Sequence, residues 1–383
     1  MPKLPFNSDW FVSRMGEEDK SIAVTLPHDA MLSEPRTAQS AGGTNTGWFE
    51  GYDYVYQKAF NVPAEWADRA MFLEFEGVYR DAEVFVNDCK AAFQPGGYTG
   101  FFVALDGLLR TDSENHIRVI ARNVDQPNSR WYTGAGIYRP VWLHVLPREH
   151  IALNGLKIQT LDQIRPAVRV SVSLSCPGTA LVSILDGDRE LARTACRCQP
   201  GGTVDIPLPG AELWSPDNPK CYTCRAVFGQ DVREEPFGIR TVTCDSKNGF
   251  CINGERVILR GACIHHDNGI LGAAAHPFAE ERKVRLLLEN GYNAIRSAHN
   301  PCSKALLDAC DTLGMLVLDE YTDMWYIHKT RYDYAQYMPE RWREDLSALV
   351  DKDFNHPSVV MYSIGNEVSE TAQKRGIELT GQM

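Results

Sequence analysis

The stretch Asn293–Tyr321, NAIRSAHNPCSKALLDACDTLGMLVLDEY, decides the fold. NAIRSAHN reads as a short apolar strand, SKALLDACDTLG as a helix stopped by Gly314, and MLVLDEY as a second strand. The same grammar extends to both sides. ERVILRGACI (255–264) reads as a buried strand. PFAEERKVRLLLENG (277–291) has apolar residues at helical spacing and a Gly cap. PERWREDLSALVDKDFNHP (339–357) is a third helix, and SVVMYSIGNE (358–367) a fourth strand. Strand–helix–strand repeats with near-continuous apolar strands predict a parallel sheet with helices on its faces. No dinucleotide fingerprint or phosphate-binding glycine loop follows any of these strands, so nothing supports a nucleotide fold.

Upstream the pattern is all-β. YVYQKAFNV, AMFLEFEGV, AEVFVNDCK and HIRVIARNV are short runs rich in β-branched and aromatic residues, separated by polar and Gly/Pro turns, with VNDCK as a tight hairpin turn. They predict a sandwich over residues 1–148. AVRVSVSLS, ALVSILDG, GTVDIPLP and KCYTCRAVF continue with period two, and residues 149–242 fit a seven-strand immunoglobulin-like sandwich. The alternating strands and helices then occupy 243–383.

Composition bounds the function. The net charge of -11 and the absence of a Lys/Arg cluster argue against nucleic acid or an anionic membrane as partner. The apolar runs are far shorter than a membrane span, and MPKLPFNSDW lacks the apolar core of a signal peptide, so a cytoplasmic location is expected. Among 11 cysteines, Cys196 and Cys198, and Cys221 and Cys224, are spaced as a metal site would allow, but no histidine lies nearby. Free, reduced, partly buried cysteines are the expectation.

Ionisable residues gather where the four strands end: His265, His266 and Asp267; Arg296, His299 and Asn300; Asp319, Glu320 and Asp323; Asn366 and Glu367. In a (β/α) barrel those ends converge on one mouth, where active sites sit. Asp319 reads more readily as structural, and Arg296 as a tie between carboxylates. Glu367 stands out, because a carboxylate closing a buried strand is costly without partners.

The ordered motifs RWYTGAGIYRPVWL, RGACIHHD, NAIRSAHNP, LGMLVLDEYTDMW and VVMYSIGNE resemble those of glycoside hydrolase family 2, the β-galactosidase, β-glucuronidase and β-mannosidase group. The resemblance covers essentially the whole chain. It implies a β jelly-roll sugar-binding sandwich, an immunoglobulin-like β-sandwich and a (β/α)8 TIM barrel, and retaining hydrolysis of a β-glycoside. GACIHHDNGILGAA leans toward β-galactosidase, with β-glucuronidase or another family 2 glycosidase as the alternative. A non-catalytic carbohydrate-binding protein, or a fragment complemented by a partner chain, also fits the motifs. Carried over by residue, Glu367 matches the general acid/base and Asn366 the asparagine that bonds the sugar 2-hydroxyl. His265 and His299 match histidines lining the sugar subsite. Arg296 would steady the carboxylates, Trp325 could wall the sugar, and Asp323 could bond a hydroxyl.

Retaining hydrolysis needs two carboxyls about 5–5.5 Å apart, one a nucleophile and the other an acid and then a base. Burial and the neighbouring carboxylate would raise the pKa of the acid. The family nucleophile is a Glu on the seventh barrel strand. From Val257 to Met383 there are 127 residues, about half of the ~250 in a full barrel. The chain is therefore expected to be the N-terminal portion of a longer enzyme, holding barrel strands one to four, and inactive alone. The magnesium ligands of some relatives correspond here to Met324 and Tyr326, so no cofactor is expected. The expected partner is a β-linked oligosaccharide or glycoside, with homo-oligomers a possibility.

Overall fold

The computed structural model describes residues 3–383, among which no helix is long and apolar enough to cross a membrane. The β-branched and aromatic segments upstream of Leu146 pair into two antiparallel sheets. One has six strands, in the order Ile22–Val24, Trp10–Arg14, Tyr54–Phe60, Asn115–Ala121, Ala82–Val86 and Cys89–Gln94. The other has four: Lys3–Pro5, Val141–Leu146, Ala70–Phe75 and Phe101–Ala104. Side chains of both sheets share one core, including Trp10, Tyr56, Leu73, Phe75, Val119 and Leu143. In VNDCK, Asn87 and Asp88 both take positive φ (48° and 68°), the pairing that lets a two-residue turn follow the strand twist.

Two further sheets follow, of three strands (Ile151–Asp162, Ala167–Leu174, Gly201–Pro207) and four (Arg189–Cys198, Gly178–Asp186, Tyr222–Phe228, Asp231–Phe237). Period two is literal here. In Ala167–Leu174, Val168, Val170, Val172 and Leu174 point into the core and the alternate residues point out. Cys196, Cys198 and Cys224 pack in this core, with the Cys196 and Cys198 sulfurs 3.9 Å apart. Cys221 lies elsewhere, against the Asp311 carbonyl.

The C-terminal part is a parallel four-stranded sheet in sequence order: β1 (Gly261–Ile264), β2 (Ala294–Ser297), β3 (Leu316–Glu320) and β4 (Val359–Ser363). The crossovers carry α1 (Pro277–Glu289), α2 (Lys304–Leu313) and α3 (Met338–Asp353), and α4 (Lys374–Gln382) follows β4. Val284, Ile295, Leu306, Leu307, Cys310 and Val317 seal helices to sheet. Ser303 caps α2 by accepting the Leu306 N–H at 3.1 Å. Gly314 ends it at φ 80°, where a Cβ would sit 2.2 Å from the Pro216 carbonyl oxygen.

ERVILRGACI departs from its expected form. Glu255–Arg256 belongs to a small antiparallel sheet with Val242–Asp245 and Gly249–Ile252, and the parallel strand starts only at Gly261. Ile258 and Leu259 are exposed, as is Cys263. The other face of the parallel sheet explains this. In this chain that face is an open hollow of about 260 Å³ lined by Leu259, Cys263, Leu318 and Met361.

Contacts between the parts fix the ends of the parallel sheet. Arg139 of the first sandwich donates to the Pro301 carbonyl at 2.7 Å, and Asp29 accepts the Ala273 N–H at 2.8 Å. Arg240 donates to the carbonyls of Pro357 and Val359 at 2.8 and 2.6 Å.

Candidate active site

Parallel strands in register deliver their C-terminal ends to one rim, and the residues just beyond each strand meet there. Glu320 ends β3 and is fully buried. Its Oε2 accepts from Arg296 Nε and Nη2 at 2.9 and 2.5 Å, and its Oε1 lies 2.6 Å from His299 Nδ1. A carboxylate only accepts, so the His299 proton sits on Nδ1 and Nε2 is left for the cleft. Burial pushes the Glu320 carboxyl up, but hydrogen bonds from His299, Ser363 and Arg296 outweigh it and hold the group below the usual glutamate value.

Asn366 follows β4. Its Oδ1 accepts from Arg296 Nη2 at 3.0 Å and its Nδ2 donates to Asp323 Oδ1 at 2.9 Å. Asp323 also accepts from Lys329 Nζ at 3.0 Å and from Arg130 Nε and Nη2 at 2.8 and 2.5 Å. Burial pushes Asp323 up, and the bonds from Arg130, Asn366 and Lys329 bring it below its ordinary value. Lys329 Nζ further donates to the Asn366 carbonyl at 2.5 Å. Seven side chains from three strand ends and two loops thus form one connected network.

The sequence pattern places Glu367 at the end of a buried strand, but its carboxylate is 72% exposed. In this chain β4 is an edge strand, and Tyr362 on it is exposed too. The carboxylate's charged neighbour is Arg130, Nη1 lying 3.4 Å away. Its backbone φ is 46°, a left-handed conformation uncommon outside glycine, asparagine and aspartate.

His265 donates Nδ1–H to the Ala298 carbonyl at 2.7 Å, and its ring stacks on Trp131 at 5.0 Å between centroids. His299 meets the same indole edge-on at 5.5 Å. Trp131, half-buried, is thus the aromatic wall of the site. Trp325, assigned that role from the sequence, is 1% exposed instead. Its ring packs with Tyr321, Met338, Trp342 and Leu349, and its Nε1 donates to the Ile364 carbonyl at 2.8 Å. Gly365 makes room for that indole, since a Cβ there would lie 2.7 Å from Nε1.

Asp319 is structural, accepting from the Cys302 and Glu320 N–H groups and from Lys352. Met324 is buried with its thioether beside the Thr322 hydroxyl, and Tyr326 offers a phenol that meets Gln373. A thioether and a phenol are a poor donor set for a hard cation.

The sequence reading missed Arg130, Trp131 and Lys329. The first two lie inside the quoted motif RWYTGAGIYRPVWL, which was the available signal, and Lys329 lies six residues after Asp323.

Residues 244–379 match the protein family "Glycosyl hydrolases family 2, TIM barrel domain". Over 95% of its length the chain is 36% identical to a β-galactosidase of Bacteroides ovatus, covering 46% of that protein. Over 82% of its length it is 27% identical to a β-glucuronidase of Bacteroides fragilis, covering 50%. Among solved structures, a glycosyl hydrolase family 2 member from Bacteroides cellulosilyticus matches 100% of the chain at a TM-score of 0.93 and 34% identity, over 54% of its own chain. The chain spans about half the length of the curated relatives it matches.

Proposed function

We infer, because the chain belongs to glycoside hydrolase family 2, that it is part of a retaining β-glycosidase and carries one of that enzyme's two catalytic carboxyls. The observation that supports this reading is the network at the strand ends. Glu320 and Asp323 are each neutralised by two or more donors, while Glu367 stays open beside them. An acid/base must exchange protons with a leaving oxygen and with water, and a carboxyl that is not neutralised by several donors suits both steps. Glu367 is the acid/base, protonating the glycosidic oxygen and then activating water. Asn366 has one amide N–H left after serving Asp323, and it meets the sugar 2-hydroxyl. His265 and His299 present Nε2 to the sugar's hydroxyls, and Trp131 packs on the pyranose face. The nucleophile comes from a part of the parent enzyme outside this chain.

A β-galactoside is the favoured substrate. Within this chain Arg296, Arg130 and Lys329 are all engaged by Glu320 or Asp323. The relative at 36% identity also carries the β-galactosidase name. With Met324 and Tyr326 where cation ligands would be needed, no step runs through magnesium.

The test uses the product of the complete gene and this chain alone, each with an aryl β-galactoside and an aryl β-glucuronide. The complete protein is expected to cleave the galactoside, with NMR showing the β anomer as first product, and the isolated chain to show no turnover. An α first product, or no cleavage of either glycoside by the complete protein, would overturn the reading. Preference for the glucuronide would move the substrate assignment alone.

A further inference from the structure

One of the loops by which the first sandwich reaches the strand ends is residues 123–131. That loop is held from within. The Asn128 amide donates to Asn123 Oδ1 and the Asp125 carbonyl, both at 3.0 Å, and accepts from the Tyr79 hydroxyl at 3.0 Å. Trp131 Nε1 donates to the Tyr98 hydroxyl at 3.2 Å. Between these anchors, Arg130 reaches across 193 residues of sequence to Asp323.

We propose that Arg130 is a positioning residue that sets the orientation of the Asn366 amide through Asp323, and so determines how well the enzyme uses the sugar 2-hydroxyl. The proposal rests on the role given to Asn366 above. The oxygen and nitrogen ends of an amide have nearly the same shape, so their orientation is decided by partners. Arg296 can only donate, which fixes Oδ1, and Asp323 as a carboxylate only accepts, which fixes Nδ2. Asp323 serves only while ionised and held in its plane. Arg130 grips both of its oxygens with a planar fork. Lys329 is a point charge shared between Asp323 Oδ1 and the Asn366 carbonyl, and cannot fix that plane. Without Arg130 the carboxylate can rotate, and the amide loses the acceptor that holds its N–H toward the sugar.

The experiment compares the complete enzyme with its Arg130→Ala and Arg130→Lys variants on an aryl β-glycoside and on the 2-deoxy analogue. The bond to the 2-hydroxyl strengthens in the transition state, so the loss should fall on kcat more than on KM. Arg130→Ala is expected to lose at least about tenfold more in kcat on the glycoside than on the 2-deoxy analogue, because its contact with Glu367 acts on both substrates alike. Arg130→Lys should give an intermediate ratio. A ratio taken on one preparation does not depend on the fraction folded, so poor folding cannot mimic the result. Equal losses on both substrates, or an unchanged ratio, overturn the proposal. A wild-type enzyme indifferent to the 2-hydroxyl would instead overturn the reading of Asn366, and this proposal with it.

Discussion

Arg296 and Glu320 form a two-bond ion pair at the floor of the site, with Nε and Nη2 at 2.9 and 2.5 Å from one oxygen of a fully buried carboxylate. Removing one partner of a buried pair leaves a charge without compensation, whereas replacing both by apolar groups can be nearly neutral. Arg296→Ala is therefore expected to destabilise the barrel portion by about 2 kcal/mol, below the usual range because His299 still serves Glu320 and Arg296 is partly exposed. The double variant Arg296→Met/Glu320→Leu should be less destabilised than Arg296→Ala alone. Urea titrations of the three proteins check this, and additive losses would show that the pair is uncoupled.

Acid should weaken the fold before most carboxylates titrate. Burial pushes the imidazoles of His266 and His28 down to about 3 and about 4. Unfolded, each titrates near 6.5, so between these values the unfolded chain binds more protons. Their contribution is present above about pH 6.5 and is lost as pH falls toward the folded values. Glu320 and Asp323, held below their ordinary values, add a second loss of the same sign below about pH 4. His356 has the opposite sign. Burial pushes it down, but its bond to Asp311 outweighs this, so its contribution fades as pH rises through the raised value. His28→Gln is expected to flatten the stability profile between pH 7 and 5.5 by about 1 kcal/mol. Chemical denaturation at several pH values measures it, and parallel profiles would refute it.

Much of this site was legible because its residues are tied to strand ends. Once Ala294–Ser297 is a parallel strand, Arg296 and His299 must lie near its C-terminal rim, and the same holds for Asp323 and Asn366. Burial was less legible, because it depends on what covers a face. Ile258 and Leu259 look like core residues yet are exposed, Leu259 at the rim of a hollow on the face of this four-stranded sheet. Arg130 could not be placed by any local period, since only the docking of the first sandwich brings it to Asp323.

Trp325 and Trp131 show the limit most directly, and they predict opposite phenotypes. Trp325 is a core side chain, so Trp325→Ala should cost about 3–5 kcal/mol through the cavity it leaves. Trp131 is half-buried and stacked on His265. In the complete enzyme, Trp131→Ala should raise KM by about tenfold, the weight of one lost aromatic contact with sugar, with stability changed by about 1 kcal/mol or less. Thermal melts and Michaelis–Menten analysis of both variants separate the roles, and a raised KM confined to Trp325→Ala would reverse them.

Glu367→Gln should act on chemistry and leave the fold intact. The side chain is exposed and its partner is a single contact with Arg130, so the amide should change stability by about 0.5 kcal/mol or less. The kinetic effect should depend on the leaving group. An acid is needed in proportion to the basicity of the departing oxygen. In the complete enzyme, glycosyl transfer from an unactivated disaccharide should fall by about 10²–10⁴-fold, the usual weight of general acid catalysis. With a dinitrophenyl glycoside the first step should be nearly unchanged, and the slowed second step should let a glycosyl-enzyme accumulate as a burst of phenol. Azide, which needs no general base, should then restore turnover and give a β-glycosyl azide. Equal losses for both leaving groups, with no burst and no azide product, would show that Glu367 is not the proton donor and that the acid lies elsewhere on the rim.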